Sequence, residues 1–418
     1  MDSAIYGTVG YQAPEVAQVG TTVASDIYTI GRTLVVLITE FRGYQTRYVA
    51  SLPTVAETPV FAQQDSLYRL IAKACASDPA DRFASVDELR VQLLGVLREV
   101  VAERTAGTAL TSAASVLFEA PAVTGEALEW DELPALRIDI TDPQYAWLSN
   151  ISLEDPQERL AELRRAPELS AEVLLAQAKA ALQLRRGDVV NQIVNQMLAA
   201  DPWEWRAVWV SGLSALDSGD FASAQSSFNA VYGQIPGELA AKLALALACE
   251  RGGEGEIGEA LYRTCASTDA NYVAPAAFGM ARIRTARRDI SGAVKALDLV
   301  PSTSRSFTEA RRLRAIALLK SGQGLAALSQ AMDSLKGVSL DPRDQAELTA
   351  SILERAVAEV TKTGPKTGVM IGPYAARDET LRDGLEITYR TLAGTETDEA
   401  RRYALVDKAN AVRRWTLR

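Results

Sequence analysis

One turn signal returns through the middle of this 418-residue chain at a nearly constant interval. Gly187-Asp188, Gly219-Asp220, Gly253-Glu254, Arg288-Asp289 and Gly322-Gln323 follow one another at spacings of 32, 34, 35 and 34 residues. Helical patterns flank each of them. A fixed period of this size means that one helical hairpin is reused, and a lone hairpin cannot bury its apolar face without neighbours. Seven residues before each turn stand Ala180, Gly212, Ala246, Ala281 and Ala315, all small, as two closely crossing helices require. Five residues after stand Gln192, Ala224, Gly258, Ala293 and Ala327; nine after stand Gln196, Phe228, Tyr262, Leu297 and Ala331, mostly knobs for the next helix. Pro202, Pro236 and Pro301 end three second helices, because proline cannot continue one. The expected fold is mainly α.

Small, small, aromatic and proline positions on a period near 34 resemble the tetratricopeptide repeat. The unit from Val208 to Pro236 is the clearest, and the first and last match least, as capping repeats do. The expected organisation is repeats over 146–340 and capping helices over 341–418, with a helix to Lys362, a Gly/Pro break through Pro373 and two more helices. Such repeats bind peptides or partner domains, so protein partners are expected through them. Trp205 and Trp209 lie one turn apart on one helix face. Packing between hairpins is the plain reading, and a ligand-facing aromatic pair is the alternative. Arg284 and Arg288 also share a face, with Arg282 and Arg287 adjacent. They read as solvated surface, or else as a contact for an acidic peptide.

Residues 105–145 are rich in Ala, Thr, Gly and Glu and are punctuated by Pro121, Pro134 and Pro143, which reads as a linker with a short extended piece near Leu136 to Ile140. Ahead of it, residues 1–104 form a separate segment. Ser25 is placed to cap a helix, with Asp26 favourable against the positive end of its dipole. The run from Thr33 to Ile38 makes that helix apolar nearly all round, so it is predicted to be buried. A second helix covers roughly Ser66 to Ala76, and Asp78-Pro79 breaks it. Ser85 with Glu88 is a capping box that opens an amphipathic helix through Leu89, Leu93, Val96, Leu97 and Val100.

Three motifs in this segment stand in a telling order: Gly7-Thr8…Ala13-Pro14-Glu15, Ser25-Asp26-Ile27-Tyr28…Gly31 and Asp78-Pro79…Arg82-Phe83. Together they resemble the C-lobe of a serine/threonine protein kinase from the P+1 loop to the last helix, so 1–104 is expected to be a partial C-lobe. The resemblance implies that Glu15 and Arg82 form the ion pair tying the activation segment to the final helices. It implies that Asp26 braces the catalytic loop, that Thr8 is the P+1-loop threonine, and that Tyr11 packs beside the substrate peptide. These are supporting groups, and no catalytic residue is assigned.

The same family needs a glycine-rich loop, a strand lysine, a catalytic-loop aspartate and an Asp-Phe-Gly metal site. None stands before Gly7 and none appears later in usable form. The chain alone is therefore expected to be inactive and to hold no cofactor; ATP and Mg²⁺ belong to the complete family kinase. There is no histidine, which removes Ser-His-Asp and Cys-His catalysis and His-ligated metals. Cys75, Cys249 and Cys265 are far apart with no Cys-x-x-Cys, so no metal knuckle or disulfide framework is indicated. Gly364-Pro365-Lys366-Thr367 fails as a P-loop because Pro365 stands where glycine must precede the lysine. Lys366-Thr367-Gly368 lacks the Ser-x-x-Lys that a penicillin-recognising site needs.

Net charge is -9 with a pI near 5.0, which argues against a general nucleic-acid binder. The longest local apolar candidate, Leu239 to Cys249, is too short to span a membrane and contains Lys242. With no basic-then-apolar start, a signal peptide is not indicated, and a cytoplasmic protein is expected.

A kinase C-lobe followed by a linker and repeats resembles the C-terminal portion of PknG-like actinobacterial serine/threonine protein kinases. Gly31-Arg32-Thr33-Leu34, Gly95-Val96-Leu97-Arg98-Glu99-Val100-Val101-Ala102, Pro236-Gly237-Glu238-Leu239-Ala240 and Tyr403-Ala404-Leu405-Val406-Asp407 carry the likeness beyond architecture. The resemblance implies phosphorylation of a forkhead-associated regulator of 2-oxoglutarate and glutamate metabolism. Two readings follow. In one, the chain is part of such a kinase and acts through its repeats. In the other, it is a non-catalytic tetratricopeptide adaptor or dimerising scaffold derived from one.

Overall fold

Helices make up nearly all the regular structure among the described residues of the computed structural model, which are 8–105, 111–122 and 127–413. Gly7, the first residue of the P+1 motif, lies outside them. The first segment contains α1 (Val16–Val19), α2 (Val23–Ile38), α3 (Pro59–Gln63), α4 (Asp65–Ala74) and α5 (Val86–Arg104). Thr22, not Ser25, caps α2. The Thr22 hydroxyl accepts from Ser25 N at 3.2 Å, and the Ser25 hydroxyl accepts from Thr22 N at 2.8 Å, a reciprocal box that starts the helix three residues earlier than expected.

Ile27, Tyr28 and Val35 of α2 pack with Phe61, Leu70, Ile71, Phe83 and Val96. Each such fully buried apolar side chain stabilises by about 1.5–3 kcal/mol. The expectation that α2 is buried on all sides is corrected, since Val23, Asp26, Thr33 and Leu37 form an exposed stripe. At α5 the Ser85 hydroxyl accepts from Glu88 N, but Glu88 turns to Ala84 N at 2.7 Å, so the expected box is only half closed.

The linker is partly ordered by the chain itself. Phe118 and Leu136 form an antiparallel bridge, with Glu119 N donating to Ala135 O at 2.8 Å and Arg137 N to Leu117 O at 2.9 Å. Short α6 (Tyr145–Leu148) and α7 (Pro156–Leu163) follow.

The repeats are the hairpins α8 (Ala171–Gln183) with α9 (Gly187–Ala200), α10 (Trp205–Ser218) with α11 (Phe221–Gln234), α12 (Leu239–Arg251) with α13 (Gly255–Thr268), α14 (Val273–Ala286) with α15 (Ile290–Leu297), and α16 (Phe307–Lys320) with α17 (Gly324–Ser334). Every hairpin turn places a left-handed residue at the same point, Arg185, Gly219, Gly253, Arg288 and Gly322, at intervals of 34, 34, 35 and 34 residues, and the last adds a second at Gly324. This corrects the first turn, which sits at Arg185 and not at Gly187. Counted from Arg185, the small and knob positions of the first repeat become Ala178, Val190 and Val194, all buried, whereas Gln192 and Gln196 are exposed. Gly187 misleads because it lies at the start of α9, where glycine is tolerated but no positive φ is needed.

The chain divides into two compact units. One takes the described residues as far as Ala122 together with Glu129–Tyr272; the other takes those of Val123–Leu128 and Val273–Arg418. In the second, α18 (Pro342–Thr363), a two-residue hairpin of β1 (Met370–Ile371) and β2 (Tyr374–Ala375), α19 (Asp378–Thr395) and α20 (Glu399–Val412) follow the repeats. Ile352, Leu353, Ile371, Leu381 and Leu385 form part of its core. The Gly/Pro break is thus the turn of a hairpin, and Gly364 ends α18 with φ 81°, unlike the glycine of a phosphate loop that opens a helix.

Candidate functional site

The loop before α1 is built around a glycine. Gly10 has φ 90°, and a Cβ there would fall 2.3 Å from Tyr44 O, so only glycine fits. Its carbonyl accepts from Arg32 Nε at 2.7 Å. Arg32 is fully buried and donates further to the carbonyls of Ser51, at 2.5 Å, and Tyr48, while its guanidinium lies 4.8 Å from the centre of the Phe41 ring. A buried cation is tolerable only when its donors are engaged, and here three backbone carbonyls engage them. Arg32 therefore pins the loop to α2 and to the segment around residues 48–51. Sequence reasoning assigned it no role; its one signal was a charge inside an otherwise apolar helix.

Thr8 is exposed, and its carbonyl accepts from Tyr11 N at 3.0 Å, closing the turn. The Tyr11 ring meets Tyr44 edge-on at 5.4 Å, and the Tyr11 carbonyl accepts from the Thr29 hydroxyl at 3.2 Å. Asp26 is exposed on the open stripe of α2, one helical turn from Thr29 and Ile30.

Glu15 and Arg82 meet in a two-pronged ion pair, Nη1 to Oε1 at 2.6 Å and Nη2 to Oε2 at 2.9 Å. Arg82 also donates to the carbonyls of Ala76, Ala24 and Ser77, so all five of its N–H groups are used. Its side chain has no exposed surface, and that of Glu15 is 14% exposed. The hydrogen bond from Arg82 holds the Glu15 carboxyl below its ordinary pKa, against the opposing effect of burial. The arrangement anchors the loop but offers no nucleophile and no general base.

A second charged group joins this segment to the repeats. Lys242 on α12 forms an ion pair with Glu99 of α5, Nζ to Oε1 at 2.7 Å, and donates to Pro236 O at 2.5 Å. Ser66 on α4 donates to Glu99 Oε2 at 2.5 Å and shares a hydrogen bond with the Tyr232 hydroxyl at 2.7 Å. Arg98 bonds Asp269 at 2.7 Å, and Asp269 also accepts from Ala113 N of the linker at 2.8 Å. Gly95 and Gly237 let α5 approach the turn before α12, where a Cβ on Gly95 would fall 2.2 Å from Gly237 O. Sequence reasoning noticed Lys242 only as a charge interrupting an apolar run. That interruption was the signal, because an internal lysine in a buried helix needs a partner.

Trp209 is buried and faces neither solvent nor a ligand. Phe118 of the linker packs edge-on against it at 4.9 Å, Phe228 at 5.2 Å, and Trp205 lies 5.7 Å from Phe118. Trp209 is thus a packing residue, within its own hairpin and against the linker rather than between hairpins, whereas Trp205 is half-buried and borders an open cleft. Arg284 donates to Gly292 O across its own hairpin at 2.8 Å, and Arg288 occupies the left-handed turn position.

A protein-family model described as the protein kinase G tetratricopeptide repeat matches residues 118–416. Two curated relatives, the serine/threonine-protein kinases PknG of Mycolicibacterium smegmatis and Mycobacterium leprae, are each 36% identical to the chain across 98% of its length. The chain spans 58% of the length of either relative.

Proposed function

The chain belongs to the protein kinase G tetratricopeptide repeat family, and from that premise we propose that it supplies the substrate-side loop and the interaction part of a PknG-like serine/threonine protein kinase. In complete form such a kinase transfers the ATP γ-phosphate to a protein threonine or serine and regulates 2-oxoglutarate and glutamate metabolism in the cytoplasm. In this reading Thr8 and Tyr11 border the substrate peptide, Asp26 braces the catalytic loop, and the repeats recruit protein partners, with a forkhead-associated regulator as substrate.

The observation that carries the reading is the open stripe of α2. A helix apolar nearly all round leaves Val23, Asp26, Thr33 and Leu37 uncovered on one side, the side on which a catalytic half-lobe would rest. Two large apolar side chains of that stripe, Val23 and Leu37, are exposed to 56% and 74%, beside the polar Asp26 and Thr33, which suits a surface that meets a further part of a lobe.

The test is phosphotransfer from labelled ATP with Mg²⁺. The chain alone is expected to label nothing, and a protein joining it in frame to an upstream kinase N-lobe and catalytic loop is expected to label threonine. Labelling by the chain alone, or none by the joined protein, would sink the proposal.

A further inference from the structure

A cleft of about 1360 Å³ opens within the first compact unit, between the Pro79–Phe83 turn and α5 on one side, the bridged linker on another, and the start of α10 on a third. Val116, Ile138, Ile140, Tyr145 and Trp203 line it and are exposed, Val116 to 65% and Ile140 to 72%. Large apolar side chains scattered singly over a surface need no explanation, but five gathered around one cleft mark an interaction site.

The linker strand that borders the cleft through Arg137, Ile138 and Asp139 has unmade backbone hydrogen bonds. In the bridge of Phe118 with Leu136 the two residues form a non-hydrogen-bonded pair, so the N–H and C=O of Leu136 point away from the partner strand. No hydrogen bond engages the backbone N–H or C=O of Leu136, Ile138 or Ile140 among the described residues. The opposite edge is closed: Phe118 O accepts from Arg137 Nε at 2.9 Å, and Phe118 N donates to the Ser115 hydroxyl at 3.0 Å. Leu136 and Ile138 alternate with Arg137 and Asp139 as in a strand with one edge open, and the turn closed by Asp142 N on Asp139 O ends it at Ile140.

Charge selects the occupant. The cations of the cleft are engaged: Lys73 with Glu88, Arg82 with Glu15, Arg206 with Glu172 and Glu204, and Arg137 with the carbonyls of Ser115 and Phe118. Glu119, Asp139 and Asp201 line the cleft and are exposed, and no ion pair engages them among the described residues. The net demand is for positive charge.

We propose that this cleft docks an extended cationic peptide segment of a protein partner, which adds as a short strand along Leu136–Ile138, seats its apolar side chains against Ile138, Ile140 and Trp203, and places lysine or arginine near Glu119, Asp139 and Asp201. Strand addition takes affinity from main-chain hydrogen bonds and specificity from alternate side chains. The proposal does not rest on the kinase reading, because its readout is binding and needs no phosphotransfer.

The experiment titrates the full chain into two fluorescein-labelled peptides, one alternating lysine with valine and one alternating glutamate with valine, and follows anisotropy. The lysine peptide is expected to bind, more weakly as salt rises, and the glutamate peptide is not. Reversing charge in the Glu119→Lys, Asp139→Lys double variant should weaken the lysine peptide about tenfold or more. Ile138→Pro removes one edge N–H and should weaken it as well. If that variant loses helical circular dichroism, the charge-reversal variant decides alone. Equal binding of the two peptides, lysine-peptide binding unchanged in the charge-reversed chain, no binding at all, or a self-associated chain in sedimentation that Ile140→Ser restores to monomer, each overturns the proposal.

Discussion

Lys242 Nζ stands 2.7 Å from Glu99 Oε1 with both side chains buried, so α5 of the kinase-like segment and α12 of the repeats share one ion pair. Ser66 donates to the second Glu99 oxygen, the Pro236 carbonyl accepts from Lys242, and the Tyr232 ring lies 4.5 Å from the ammonium, while Glu99 Oε1 is held by the ion pair without a hydrogen bond among the described residues. The first hundred residues therefore rest against the repeats. A segment whose own core is small gains there a second buried surface.

Breaking that pair on one side leaves the other charge buried alone. Glu99→Leu and Lys242→Met are each expected to destabilise by about 3–5 kcal/mol in urea unfolding. The double variant Glu99→Leu, Lys242→Met should cost clearly less than the two singles combined, because it removes both charges. Additive losses would mean that the two residues are not energetically coupled.

The Glu15–Arg82 pair should leave an acid signature. Arg82 holds the Glu15 carboxyl below its ordinary value of 4.5 in the folded state. Its contribution is therefore full above that value and is lost as pH falls through 4.5 towards the lower folded pKa. Glu15→Gln should cost about 3–5 kcal/mol at neutral pH. It should also flatten the dependence of the urea midpoint on pH in that acid window. Parallel pH curves for the two proteins would refute the linkage.

The Tyr28 hydroxyl is buried with no hydrogen-bond partner among the described residues, although its ring lies 4.9 Å from the Arg82 guanidinium. A buried unsatisfied hydroxyl costs about 1–3 kcal/mol. Tyr28→Phe keeps the ring and removes the orphan, so the thermal midpoint should stay level or rise. A clear drop would mean that the hydroxyl has a partner in solution.

Arg288 holds φ 62° in a turn where Gly219, Gly253 and Gly322 occupy the equivalent place. A side chain in the left-handed region costs about 1–2 kcal/mol. Arg288→Gly should therefore raise stability by about 1 kcal/mol, and Gly219→Ala should lower it by a similar amount. Calorimetric midpoints moving the opposite way would contradict the strain account.

Much of the fold was legible because it is written locally. Helix length, the breaks at Pro202, Pro236 and Pro301, and the return of small residues near every 34 positions all follow from neighbours along the chain. The first repeat was misread by two residues because glycine is a cue for positive φ but not a requirement: Arg185 took the turn, and Gly187 went into a helix. The start of α2 was misread for a related reason. Thr22 and Ser25 both have capping side chains, and only their reciprocal geometry decides which one stands outside the helix.

The motifs from Thr8 to Phe83, the small-residue period and the missing catalytic motifs were fixed by the sequence alone, because each depends on residue type and spacing. Tertiary structure decided which distant groups became partners. It brought Arg82 onto Glu15, aimed Arg32 at the Gly10 carbonyl, set Lys242 against Glu99 across 143 residues, and laid Phe118 on Trp209. A buried charge must find its counterpart wherever the chain delivers one. The choice therefore depends on which surfaces are dried together, and no spacing along the sequence records that.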